Sequence, residues 1–258
     1  MAATKIGVDL ALLILVLPST LASAQTRPNP AGDRITITRR KITLLRTGET
    51  ARNFPERRKA VVIYPVISGL RNQAILRRVR AILRFANIFG STLDEYRENA
   101  WLEEFDYRVN YNQHYILDLT FTETGSAAYP DTHHQHFTID LRRGSVVKAR
   151  DVFLADRLDE LASLVNEKLQ QELKDSTPEI LKGGDISASD LRDLHEALRF
   201  GVENLNDFEV SNDRLVFLYD AGFPHVIQAL EPDGRYGFTY KELKPYLKAD
   251  GLLWQFVD

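Results

Sequence analysis

The sequence predicts an α+β protein: an antiparallel β-sheet, built of a meander and hairpins, packed against several amphipathic helices. Three observations predict it. Between residues 105 and 141, apolar and polar side chains alternate with period two in successive runs, the mark of half-buried strands. Segments 72–88 and 156–173 instead carry apolar residues at helical spacing. Short apolar runs flanking turn residues at 211–213 and 232–235 add further hairpins.

In chain order, the apolar run 10–17 (LALLILVL) follows Lys5, is stopped by Pro18, and leads to the small residues Ala22-Ser23-Ala24. The run is shorter than the ~20 residues that span a bilayer. Its flanks are those of a signal peptide, 1–24, cleaved before Gln25. A periplasmic or extracellular location is therefore expected, with no transmembrane segment after cleavage. The lack of cysteine excludes a disulfide framework, thiol catalysis and cysteine-ligated zinc, and it suits a bacterial envelope.

Residues 25–59 read as a lead-in and an edge strand, with Arg39-Arg40-Lys41 in the middle of a strand at 35–45. Residues 60–258 form the main α+β domain; two interlocked subdomains, 60–153 and 154–258, are the alternative division. Segment 60–67 (AVVIYPVI) is rich in β-branched residues, and Pro65 either places that strand at an edge or ends its pairing. The helix at 72–88 aligns Ile75, Leu76, Val79, Ile82, Leu83 and Ala86, with Arg71, Arg77, Arg78, Arg80 and Arg84 opposite. Such a basic face either meets a polyanion (a teichoic acid, lipid headgroups or an acidic protein) or is solvated and paired with local acids.

Charge is unevenly spread. Residues 25–100 hold sixteen Lys or Arg against six Asp or Glu, and 101–258 hold sixteen against twenty-nine. The total is −3, which together with export disfavours nucleic acid as a partner. Ser91 is the expected cap of a short helix ending near Trp101.

The meander follows. Phe105, Tyr107, Val109 and Tyr111 alternate with Asp106, Arg108 and Asn110, and Asn112-Gln113 is the expected hairpin tip. Tyr115, Leu117, Leu119 and Phe121 continue the alternation; 125–131 reads as loop, 133–141 as a third strand and 146–148 as a short fourth. A helix at 156–173 carries the stripe Leu158, Leu161, Leu164, Val165, Leu169 and Leu173, before a break at Lys182-Gly183-Gly184. Ser187 or Ser189 caps a further helix running to about Asn204. Hairpins are expected at 208–210 with 215–219, and at 226–230 with 236–240. Thr239 and Glu242 have capping-box spacing for a last short helix that Pro245 curtails.

The candidate chemistry lies in His133-His134-Gln135-His136. On a strand, His134 and His136 share a face and could reach one divalent ion, with Asp131 or His114 completing a three-ligand set. These are the weak metal candidates. The chain has no HExxH, no GxSxG and no Gly-rich phosphate loop, so no catalytic residue and no cofactor is assigned. Asp118 reads as a polar strand position and Asp140 as a turn cap. The ligand-binding candidates are Tyr111, Asn112, Tyr129, Pro130, His134 and His136, joined by Phe223-Pro224-His225 and Tyr236 at expected loop tips or strand ends. Exposed aromatics beside polar loops serve sugar or protein recognition; the alternative is that these rings cap the edges of the core.

Several motifs also resemble a known family. They are Tyr64-Pro65-Val66-Ile67-Ser68-Gly69-Leu70, Tyr111-Asn112, Ala128-Tyr129-Pro130, Asp140-Leu141-Arg142-Arg143-Gly144, Asp151-Val152-Phe153, and the closing segment 238–247 (FTYKELKPYL). Together they are similar to the RsiV-like extracytoplasmic domain, shared with the non-catalytic amino-terminal region of PdaC-type peptidoglycan deacetylases. The resemblance covers about 60–247. It implies an exported α/β domain, which in the best-known case binds lysozyme as a signal for an anti-sigma factor. Sigma-factor control and deacetylase chemistry are not carried over, and neither is any lysozyme-contacting residue. The expected function is a non-enzymatic binding module for a cell-wall glycan or a lysozyme-like protein. The alternative is a metal-dependent envelope hydrolase centred on strand 133–136.

Overall fold

The alternation at 105–141 becomes the middle of a six-stranded sheet. The computed structural model describes residues 33–99, 101–126 and 129–257; the signal peptide expected at 1–24 lies outside them. In chain order the elements are β1 (Thr36–Leu45), α1 (Gly48–Asn53), β2 (Lys59–Ser68), α2 (Gln73–Ile82), α3 (Leu93–Glu98) and β3 (Leu102–Gln113). Then come β4 (Ile116–Ser126), β5 (Pro130–Asp140), β6 (Ser145–Val146), α4 (Ala149–Val152), α5 (Leu158–Gly183) and α6 (Ala188–Glu196). The chain closes with β7 (Phe208–Val210), β8 (Arg214–Leu218), β9 (Arg235–Thr239) and α7 (Tyr240–Leu243). The large sheet runs β1-β2-β3-β4-β5-β6 and a second, antiparallel sheet runs β7-β8-β9. The α+β class holds, but the large sheet is mixed: β2 and β3 are parallel, paired only at Val61–Glu104 and Val62–Phe105. The crossover through α2 and α3 makes that possible, since parallel neighbours need a long connection. Pairing with β3 has ended before Pro65, whose missing N–H therefore costs no ladder bond on that side.

Strand parity sorts the large sheet's two faces. Phe105, Tyr107, Leu117, Leu119, Phe121 and Ile139 face a core completed by Leu76 and Val79 of α2. A second core gathers the stripe of α5 (Leu161, Val165, Leu169) with Phe153 and with Phe208, Phe217 and Phe238 of the small sheet. Arg46, 1% exposed, donates to the carbonyls of Arg57, Tyr96, Asn99 and Leu102, so the end of β1 is tied to α3 and β3 by backbone oxygens alone.

Several local expectations are corrected. The β3–β4 tip is His114-Tyr115, both at positive φ, and Asn112 and Gln113 stay in the strand. Non-glycine residues there are costly, and tertiary bonds hold them: Asp33 accepts from both backbone N–H groups, and Arg142 sits over the Tyr115 ring. The loop expected at 125–131 is mostly ladder, with Gly125 opposite Asp131 and Ser126 opposite Pro130. A Cβ on Gly125 would fall on the Trp101 carbonyl, so only glycine fits that crossing. Thr92, not Ser91, caps α3, in a box with Glu95. Helix α2 ends at Ile82 because Phe85 turns into a ring cluster with Tyr64, Tyr96 and Phe105. Helix α5 runs ten residues past 173, to a left-handed Gly184 cap. Ser187 caps α6, which stops at Glu196. Segment 226–230 is no strand: His225–Leu230 is a 3₁₀ turn, and β9 pairs with β8 instead.

Candidate functional site

β5 carries the histidines, and its two halves differ. The half nearer the β6 turn lies under β7. There Asp118 of β4, fully buried, accepts four hydrogen bonds: from Asn110 Nδ2 (2.7 Å), His136 Nε2 (2.7 Å), Thr138 Oγ1 (3.0 Å) and the Val210 backbone N–H (2.9 Å). The single Thr138 hydroxyl hydrogen is shared with the Phe208 carbonyl, also at 3.0 Å. Asp118 and Thr138 thus serve the edge of β7 as a neighbouring strand would, which a buried edge requires. The extra residue of a β-bulge between Val109 and Tyr111 aims Asn110 at this carboxylate.

His136 is bonded on both nitrogens, its Nδ1 lying 3.2 Å from Asp207 Oδ1. Burial works to lower its pKa, but the bonds and charges of Asp118 and Asp207 outweigh it and push it up to about 9. Beside it, Glu209 receives two bonds from Arg235 (2.6 and 3.3 Å), one from Arg108 (2.9 Å) and one from Thr120 (3.2 Å). Burial acts to raise its pKa; the two guanidinia and His136 prevail and lower it. Three carboxylates (Asp118, Asp207, Glu209) therefore meet three cations (His136, Arg108, Arg235), and the seam between the sheets is neutral when His136 is protonated. A shallow cleft of about 360 Å³ opens where Arg108 and Asn110 face Glu209, Ser211 and Arg214.

The other half of β5 is open. His134 is exposed, with Nδ1 3.1 Å from the Thr122 hydroxyl. Asp131 and His133 share the opposite face, 3.1 Å apart, and His133 also reaches Glu123 at 3.2 Å. Burial would lower the His133 pKa, but these two carboxylates raise it. Its ring stacks on Trp101 at 5.2 Å and 15°. At the hairpin end Tyr129, 60% exposed, stacks on His225 at 5.0 Å, next to Val226, 80% exposed. Pro130 is exposed beside them.

Strand parity and these bonds decide what the candidates can do together. Asp131 cannot join His134 and His136, because it lies across the sheet from them. Both ring nitrogens of His136 are already taken by Asp118 and Asp207, while His114 bonds to the Tyr111 hydroxyl at 2.6 Å. Among the described residues, no group of three His, Cys, Asp or Glu side chains has metal-ligand geometry. Tyr111 is buried against Phe256, and Asn112 bonds both the N–H and the C=O of Ile35, as a strand neighbour would. Tyr236 is buried, its hydroxyl on Glu172. Tyr129, Pro130, His134 and His225 remain accessible, with Trp101, Asp131 and His133 adjoining. Trp101 and Val226 are not among the expected site residues: the sequence places Trp101 at the end of a short helix and Val226 inside a strand.

No protein-family model matches the chain, and neither does any curated protein. Among solved structures it is similar to a DUF3298 family member from Bacteroides fragilis, with TM-score 0.52 and 12% identity over 87% of this chain and 97% of that one. A DUF3298 family protein from Pseudomonas aeruginosa aligns with TM-score 0.49 and 10% identity, over 86% of this chain and 96% of that one. The likeness to the Bacteroides protein is one of fold.

Proposed function

We propose that this chain is an exported, non-enzymatic binding module that recognises a cell-envelope partner through the open end of the β4–β5 hairpin. The observation that carries this reading is the ridge of Tyr129, His225 and Val226. It is exposed and stacked in place, and so pre-ordered for contact at little entropic cost. An exposed apolar ridge of stacked rings favours a protein surface of the lysozyme-like class over a small ligand. A cell-wall glycan laid across Tyr129 and Trp101 is the second member of the class. The resemblance to RsiV-like domains and the leader-like residues 1–24 support the exported location. His136, held between two carboxylates, argues against the hydrolase alternative.

Calorimetric titration against lysozyme and against purified peptidoglycan tests the reading. Binding by the wild type that is lost in Tyr129→Ala, with an unchanged thermal midpoint, is the expected result. Binding of neither ligand, or binding that Tyr129→Ala leaves intact, would contradict it.

A further inference from the structure

A second exposed surface lies at the opposite end of β5, about 30 Å from the ridge at the ordinary rise per strand residue. Residues 57–93 contain no acidic side chain but eight basic ones. On α2 and just beyond it, Arg77, Arg78, Arg80 and Arg84 are exposed; Arg77, Arg80 and Arg84 fall three and four residues apart, where like charges repel. The β5–β6 turn adds Arg142 and Arg143, also exposed. The fold locks the two segments together: the Arg78 guanidinium donates to the Arg143 carbonyl (3.1 Å), and Gly144 packs against Ile75 and the Arg78 stem. Residues 65 apart in sequence thus make one arginine band.

Local acids do not neutralise that band. Among the described residues, none of Arg77, Arg78, Arg80, Arg84 and Arg142 forms an ion pair; Arg80 is bound to the Ile67 carbonyl and Arg142 lies over Tyr115. The acid that does approach is Asp140, 3.8 Å from Arg143 and already bonded to the Arg142 backbone N–H. The apolar face of α2 is spent on the core through Leu76 and Val79, so the helix cannot insert into lipid. What it presents is a spread of guanidinia on a convex helix surface, suited to an extended sheet of phosphates and not to a single enclosed anion.

We propose that this arginine band rests on the anionic phospholipid surface of a membrane as a peripheral, electrostatic contact. With that end on the bilayer, the Tyr129 ridge points away from it. This inference stands on residues the recognition ridge does not use, so each can fail without the other.

Co-sedimentation of the protein with phosphatidylglycerol–phosphatidylethanolamine vesicles, against phosphatidylcholine vesicles, tests it. Partition onto the anionic vesicles alone, weakened by added salt, is expected. The triple variant Arg77→Gln, Arg84→Gln, Arg142→Gln should lose about fivefold in partition per arginine, roughly a hundredfold in all, while the triple Lys variant keeps most of it. Circular dichroism of both variants should match the wild type. No partition onto anionic vesicles, or partition that the Gln variant retains, overturns the proposal. Retention on a soluble polyanion with vesicles left unbound overturns it too, and would assign the band to an anionic wall polymer.

Discussion

His136 and His134 project from the same face of β5, yet β7 covers the first and leaves the second open. In the covered half, Asp118, His136 and Thr138 are buried against one another, so removing one leaves another buried and unsatisfied. In the open half, His134 has a single hydroxyl neighbour, and Tyr129 one stacking partner. Residue type and strand parity are the same in the two halves; the strand lying across them differs. A histidine cluster that looks like a metal site therefore divides into a structural clamp and an accessible surface.

The covered half is most sensitive at Asp118. Asp118→Ala strands His136, Asn110 and the Val210 N–H together, and should cost about 3–5 kcal/mol, as for other buried pairs cut on one side. Urea denaturation would read that loss; a change below about 1 kcal/mol would mean the seam is not a clamp. Next comes pH. The folded-state pKa of His136 is raised to about 9 from 6.5, so its stabilisation is complete below about pH 6.5 and is lost as pH rises through 9. On the order of 3 kcal/mol should disappear across that window, and His136→Gln should flatten the slope. In the open half the effects shrink. His134→Ala should shift stability by no more than about 0.5 kcal/mol, and a larger loss would erase the contrast. Tyr129→Ala should leave the thermal midpoint in place and act on binding alone, which calorimetry separates from folding.

How much of this could be read from the residues follows the same division. The alternation of β3, β4 and β5, the stripe of α5 and the Thr239–Glu242 box are local signals, and they produced the right elements. The His114-Tyr115 turn was invisible, because Asp33, eighty residues upstream, is what holds its backbone. Asp118 reads only as a polar strand position, since the edge it serves arrives some ninety residues later. The parallel β2–β3 pair rests on a crossover whose destination no local pattern reveals. The apolar run 226–230 looked like a strand and is a surface turn, with Val226 facing outward where a ridge was not anticipated. Tertiary coverage decided each of these, and coverage has no local signature.

His136 belongs to the scaffold. Nitrogen-detected NMR titration of its imidazole tests that directly. The expected result is a ring protonated on both nitrogens through neutral pH, titrating near pH 9, with no change on adding zinc. A neutral His136 ring at pH 7 that shifts on zinc addition would contradict it and return the strand to metal chemistry.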